Sequence, residues 1–177
     1  PSRVNPPLVQ ELVRVRSAAE MHQAVMARAG AADVVIMAAA VADYTPAVSR
    51  ADKMPKGKGP LSVELVRTAD ILADLGQLPS RATGRPVLVG FAAETGDAVT
   101  KARTKRARKQ VDLVVANDIS QPGIGFDTDT NAVTIVGEVD ADDQQVPLQS
   151  KQAVAAAILD RAARLVEARG IRRRESQ

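Results

Sequence analysis

Carboxylates, lysines and one aromatic stand where the apolar runs of this chain give out, a placement suited to holding a polyanion. The run Val34-Val35-Ile36-Met37-Ala38-Ala39-Ala40-Val41-Ala42 meets Asp43 and Tyr44. A carboxylate there can hold a divalent ion or orient a nucleotide sugar or phosphate. Its plainer role is capping a turn. Lys53, Lys56 and Lys58 follow on the Gly/Pro loop Lys53-Met54-Pro55-Lys56-Gly57-Lys58-Gly59. Such a flap can close over phosphates and stabilise charge on a transferring group; the alternative is a solvated loop, the usual fate of lysines. Lys101, Lys105 and Lys109 recur every fourth residue, on one helical face. Like charges so placed repel, and a bound anion would offset the repulsion; otherwise the face is simply solvated. Arg103, Arg106 and Arg108 lie off it and read as solvent residues. Phe91 ends an apolar run and either packs in the core or contacts a base. His22 has no patterned Asp, Cys or second His around it, which argues against a histidine triad or zinc site.

The totals narrow the classes. A chain of 177 residues with 45% hydrophobic residues can bury one real core. Aromatics are 2%, so Ala, Val, Leu and Ile must build that core, and stacking platforms for single-stranded nucleic acid are scarce. The net charge of +3 suits an anionic ligand without requiring nucleic acid. With no cysteine there is no disulfide, thiolate metal site or thiol nucleophile. That fits a cytoplasmic protein. The run Val34 to Ala42 is too short to span a bilayer, and no signal-peptide pattern opens the chain.

Helical and strand periods then alternate. Pro1 to Pro7 reads as a loop or cut end, and Leu8 to Val15 as a short strand. Ser17-Ala18-Ala19-Glu20 is a capping box, so a helix runs to about Ala29 and closes on a left-handed Gly30. Met21, Ala24, Val25 and Ala29 form its buried stripe. Asp33 to Ala40 suits a parallel strand buried on both faces. Tyr44 to Pro60 reads as a long loop, Leu61 to Val66 as a half-exposed strand, and Thr68 as the cap of a helix from Ala69 to Leu78. Pro86 to Phe91 and Val111 to Ala116 are further buried strands around a basic helix from Asp97 to Lys109. Glu94 and Thr95 follow the first strand, Asn117 and Asp118 the second. Asn131 to Val136 and Glu138 to Leu148 pair as a hairpin. Ser150 caps a final helix with the stripe Val154, Ala157, Ile158, Ala162 and Leu165, ending at Gly170. This is α/β with a mainly parallel sheet, and ligands of such sheets sit beyond the strands' carboxyl ends. No glycine-rich phosphate turn precedes the first helix, and Gly57-Lys58-Gly59 lacks P-loop spacing.

Taken together, Met37-Ala38-Ala39-Ala40-Val41-Ala42-Asp43-Tyr44, Lys53-Met54-Pro55-Lys56, Thr68-Ala69-Asp70-Ile71-Leu72, Gly90-Phe91-Ala92-Ala93-Glu94-Thr95 and Ala116-Asn117-Asp118-Ile119 resemble phosphopantothenate–cysteine ligase, the synthetase half of the bifunctional coenzyme A biosynthesis protein. Gly125 to Asn131 resembles the segment before that family's dimer-forming hairpin. The resemblance implies a Rossmann-like, doubly wound, mainly parallel sheet with a β-hairpin extension for dimerisation. It implies CTP-dependent joining of 4′-phosphopantothenate to cysteine through an acyl cytidylate, with Mg2+ assisting. Met37, Ala38 and Ala39 would line the nucleotide pocket. Asp43 would contact the nucleotide or its metal, and Lys53 would act on the acyl cytidylate. Ala69, Asp70, Ile71 and Leu72 would wrap the nucleotide at a helix start, Phe91 would contact the cytidine, and Lys105 and Lys109 would reach it from the basic helix. A cytoplasmic homodimer, fused to or associated with a flavin-dependent decarboxylase, is expected, with no nucleic-acid or membrane partner.

The chain departs from the family pattern in two places. Ala69-Asp70 stands where family members carry Pro-Asp. The family's opening strand, Gly-Gly-Thr turn and phosphate-binding loop have no match here. The expected organisation is therefore a single CTP-binding domain over residues 1–170 without its N-terminal βα unit, and a basic tail over 171–177. The alternatives are a non-catalytic or dinucleotide-binding α/β domain, weakened by the missing Gly-x-Gly-x-x-Gly turn, and a basic nucleic-acid-binding module.

Overall fold

The computed structural model of the chain describes residues 8–48, 59–118 and 128–171. The lysine loop from Lys53 to Lys58, residues 119–127, the first seven residues and the 172–177 tail lie outside them.

Three parallel strands form the centre: β1 (Val34–Met37), β4 (Val87–Glu94) and β5 (Leu113–Asp118). Val34 registers with Val87, and Val89 with Leu113. Between β1 and β4 a short antiparallel ladder joins β2 (Tyr44–Pro46) to β3 (Leu65–Arg67). The hairpin of β6 (Thr130–Val136) and β7 (Gln144–Ser150) adds antiparallel to β5, giving the order β1-β4-β5-β6-β7.

Side chains of the central strands alternate between two cores because the strand period is two. Leu88 and Ala92 of β4 and Val114 and Ala116 of β5 pack with helices α1 (Ala18–Ala29), α2 (Ile71–Gly76) and α3 (Ala98–Lys109). Val87, Val89, Leu113 and Val115 face helix α4 (Lys151–Ala168) through Val154, Ile158 and Ala162. Helices therefore cover both faces of a mainly parallel sheet, as expected of a doubly wound fold.

Several local expectations are corrected. Leu8 to Val15 form no strand. Leu8, Val9, Leu12, Val13 and Val15 are exposed, and Arg28 of α1 instead holds Glu11 by two hydrogen bonds of 2.6 and 3.0 Å. A helix tether replaces sheet pairing. Gly30 is right-handed, with φ −65°, and its N–H bonds Arg28 O directly. β1 covers four residues and is buried only in part, because on one side none of the described strands pairs with it. The expected Tyr44 loop begins as strand β2, and β3 keeps only Leu65 and Val66 of the expected Leu61 to Val66 strand, adds Arg67, and is exposed throughout. Thr68 does not cap α2; its hydroxyl donates to Ala42 O, and Asp70 accepts from Ala73 N at 3.1 Å.

Helix α2 stops at Gly76, short of the expected Leu78, where it touches the end of α3. A Cβ at Gly76 would lie 2.0 Å from the backbone oxygen of Lys109. Backbone cannot yield as a side-chain tip does. Gly76→Ala should therefore push α2 from α3 and cost about 1–3 kcal/mol in urea unfolding. An unchanged midpoint would show that the helices separate freely.

The amino end of β5 is closed by a buried ion network. Asp112, whose side chain is 6% exposed, takes Arg81 in a two-pronged contact at 2.8 and 3.1 Å. It also accepts from Arg169 Nη2 and, at 2.7 Å, from Leu88 N. Three elements are thereby pinned to one carboxylate. Arg106 is drawn in as well, giving its Nε hydrogen to Asp112 O at 3.1 Å, and Arg103 pairs with Asp140 and Asp143. Neither arginine is the free solvent group expected of it.

Candidate functional site: a basic pocket at the strand ends

Beyond the carboxyl ends of β1, β4 and β5 lies a cavity of about 930 Å³. The topology explains its place. β1 ends at Met37, β4 continues through Phe91 and Ala92, and β5 ends near Asn117, so three strands release their chains at one edge. Met37, Ala38, Ala39 and Asp43 form the wall from β1. Ala69, Asp70, Ile71 and Leu72 form the wall from the start of α2, and Phe91, Lys105 and Lys109 complete it. Every sequence-predicted site residue except Lys53 lines this one cavity; Lys53 lies outside the described residues.

The walls differ in character. Met37, Ile71 and Leu72 are buried and apolar. Phe91 is half-buried and packs on the α4-side core while lining the pocket, so both of its proposed roles are geometrically open. Gly90 lets Leu72 close in: a Cβ there would stand 2.6 Å from Leu72 Cδ2.

The face carrying Lys101, Lys105 and Lys109 is not merely solvated. Lys101 Nζ donates to Thr95 O at 2.8 Å. Lys105 Nζ donates to Phe91 O at 2.6 Å, and Lys109 Nζ meets Asp70 at 2.9 Å. Burial, followed by the charge of Lys109, holds the Lys105 ammonium below the usual lysine range. An anion beside it would favour the charged form and reverse that shift. Burial alone would raise the Asp70 carboxyl, but hydrogen bonds from Lys109 and Ala73 N hold it below its usual range.

Asp70 thus serves as helix cap and lysine partner at once. Asp70→Ala should lose about 1 kcal/mol through the cap, read by urea unfolding. Asp70→Asn should keep most of it, because an amide oxygen also caps. Equal losses in both variants would assign the effect to the ion pair instead.

The exposed Asp43 receives Thr68 N on its backbone oxygen at 2.9 Å, which ties the β1 wall to the α2 wall. Among the described residues no group of three or more His, Cys, Asp or Glu could hold a metal ion. His22 does have a partner that its sequence neighbours do not reveal: its Nε2 lies 2.8 Å from Asp74 Oδ2, joining α1 to α2. Arg67, Arg108, Asn131 and Lys151 also line the pocket and were not among the predicted site residues. Arg108, expected to lie off the lysine face, stands seven residues, about two turns, after Lys101 and lines the pocket with Lys105 and Lys109; Arg67 falls one residue past the expected Leu61 to Val66 strand.

A doubly wound sheet with a cationic, partly apolar pocket beyond its strand ends defines an α/β domain whose site lies where such sheets take their ligands. Comparisons with known proteins make this specific. Residues 1–165 match the family described as DNA/pantothenate metabolism flavoprotein, C-terminal domain, and the chain belongs to that family. It is 44% identical over 162 residues to the coenzyme A biosynthesis bifunctional protein CoaBC of Bacillus subtilis (strain 168), covering 92% of this chain and 39% of that protein. It is 39% identical over 158 residues to CoaBC of Escherichia coli (strain K12), covering 88% of this chain and 37% of that protein. The chain therefore spans about two-fifths of the length of these curated relatives. Among solved structures, the C-terminal domain of a CoaBC protein superposes with a TM-score of 0.73 at 37% identity, covering 95% of this chain and 74% of that one. A Cab2 H337A mutant in complex with phosphopantothenate-cysteine shares the fold, with a TM-score of 0.65 at 17% identity over 87% of this chain and 53% of that one.

Proposed function

We propose that this chain supplies the nucleotide-holding part of a phosphopantothenate–cysteine ligase, which uses CTP to join 4′-phosphopantothenate to cysteine in coenzyme A biosynthesis. The observation that carries the proposal is the pocket itself, where Lys105 and Lys109 of α3 face the apolar wall of Met37, Ile71 and Leu72. One ligand with an apolar-faced ring and a charged tail satisfies both. The kinship with CoaBC proteins supplies the acid and the amine.

In the proposed reaction the pantothenate carboxylate attacks the α-phosphate of CTP and pyrophosphate leaves. The cysteine amine then attacks the acyl carbon of the cytidylate, releasing CMP. Met37 to Ala39 and Ala69 to Leu72 hold the nucleoside, with Phe91 at its base. Lys105 and Lys109 neutralise the phosphates, whose charge would otherwise repel the incoming carboxylate. Lys53 acts on the acyl cytidylate. Asp43, a single exposed carboxylate at the pocket, contacts the nucleotide or the magnesium ion that accompanies it. When bound, such an ion offsets phosphate charge.

The same proposal includes a cytoplasmic homodimer paired through the β6–β7 hairpin, fused to or accompanied by a flavin-dependent decarboxylase. β7 is an edge strand among the described ones, and its Leu148 is exposed. No helix among the described residues is long and apolar enough to cross a membrane.

Calorimetric titration of the full-length protein with CTP, ATP and NAD, each with magnesium, tests the proposal. CTP should bind at least about tenfold tighter than either competitor, a difference of ~1.4 kcal/mol. Equal affinities, or a preference for NAD, would remove the ligase assignment.

A further inference from the structure

Two guanidinium groups at the rim of the pocket have no part in the chemistry above. Arg67 ends β3 across the ladder from Tyr44, and Arg108 stands in the last turn of α3. Both are exposed, and both line the cavity, one from the β2–β3 ladder and the other from α3. Neither forms an ion pair with a carboxylate among the described residues, although the Arg108 charge helps hold the Asp70 carboxyl low; Lys109 is paired with Asp70 and Lys105 with the Phe91 carbonyl.

Polarity and depth change together across this pocket. The apolar wall of Met37, Ile71 and Leu72 is buried, Lys105 is half-buried, the Lys109 side chain is 14% exposed, and the two arginines are open to solvent. A nucleoside triphosphate is graded in the same sense, from a flat apolar-faced base to a terminal phosphate with the highest charge. Matching the two puts the base on the apolar wall, the α-phosphate beside the inner lysines, and the outer phosphates at the rim.

We propose that Arg67 and Arg108 bind the β- and γ-phosphates of CTP and hold pyrophosphate as it leaves. The proposal rests on the CTP assignment above and adds to it the two groups that grip the leaving group. In the first half-reaction a carboxylate oxygen bonds to the α-phosphorus while the bond from that phosphorus to the bridging oxygen breaks. The electron pair departs with pyrophosphate, so negative charge grows on the outer phosphates. A guanidinium fork meets two phosphate oxygens at once and stays charged at any working pH, which suits that position better than a lysine.

The test is calorimetry of the full-length protein with CTP, CMP and inorganic pyrophosphate, on wild type, Arg67→Gln, Arg108→Gln and the two Arg→Lys variants. Both side chains are exposed, so the variants should fold, and equal thermal midpoints will verify it. Each Gln variant should weaken CTP and pyrophosphate about tenfold or more while CMP stays within about twofold. The Lys variants should recover part of the loss. Loss of CMP affinity by the same factor as CTP would overturn the assignment, since CMP lacks the outer phosphates. Unchanged CTP affinity in both Gln variants would overturn it too, leaving the ligase assignment intact. A wild-type protein that does not bind CTP would overturn both.

Discussion

Asp112→Ala should destabilise the protein by about 3–5 kcal/mol, the usual cost of removing one partner from a buried ion pair. Asp112 is buried, and it holds Arg81, Arg169 and the Leu88 amide together at the amino end of β5. Truncation leaves Arg81, 17% exposed, without a counter-charge in a place water reaches poorly. Arg169 is 31% exposed and can turn outward, so its share of the loss is smaller. Urea denaturation measures the change, and a loss under about 1 kcal/mol would mean that both arginines relax into solvent. Nucleotide binding provides a control. Asp112 lies at the opposite end of β5 from the pocket, so CTP affinity of the folded variant should hold.

The same network fixes a pH dependence. Burial by itself would raise the Asp112 carboxyl, but the hydrogen bonds from Arg169, Arg81 and Leu88 N outweigh it and hold the carboxyl below its ordinary range. A carboxyl depressed in the folded state releases its proton more readily there than in the unfolded chain. Its stabilisation is therefore complete above the unfolded value, about 4, and is lost as pH falls through the folded one. Acid unfolding of the wild type should steepen below about pH 4, and Asp112→Ala should flatten that limb. Parallel acid limbs would show that Asp112 is not the group being titrated.

The parts of the molecule legible from sequence are those where one residue pattern meets one physical requirement. The apolar runs around Val87 and Leu113 had to be central parallel strands, because only strands covered on both faces tolerate such continuity. Ser17 and Ser150 each cap the helix that follows, as their patterns predict, whereas Asp97, expected as the first helical residue, is the cap of α3, and Thr68 gives way to Asp70 at α2. Charge repeated at helical spacing marks Lys101, Lys105 and Lys109 as one face, but only the family resemblance points to Lys105 and Lys109 as pocket residues. Non-local pairing was not legible. Nothing near Leu8 to Val15 signals that Glu11 will be taken by Arg28, and nothing near Arg106 points to Asp112 O. His22 appeared solitary because Asp74 is brought to it by the packing of α2 on α1. Arg67 escaped because it falls one residue past the expected strand, and Arg108 because it was set apart from the lysine face that it shares at helical spacing with Lys101.

Lys53→Ala should lower the rate of ligation by about 10²–10³-fold while CTP affinity changes by less than about threefold. Lys53 lies outside the described residues, so the expectation rests on its sequence setting and on the anchors at either side. The segment that carries it leaves the ladder at β2 and returns at β3, where Thr45 registers with Val66 and Ala47 N bonds Glu64 O at 2.9 Å. Tyr44 and Arg67, paired across that ladder, both line the pocket. The base of the lysine loop is thus fixed at the mouth of the cavity, while Lys105 and Lys109 already supply cations from the opposite helix. A lysine whose charge served only to hold CTP would duplicate them, and its removal would weaken binding and rate together. A lysine acting on charge that appears during the reaction contributes to the rate and little to ground-state binding. Single-turnover kinetics beside CTP titration separates the two cases. Matched losses in rate and affinity would reassign Lys53 to nucleotide binding, and a normal rate would remove it from the site.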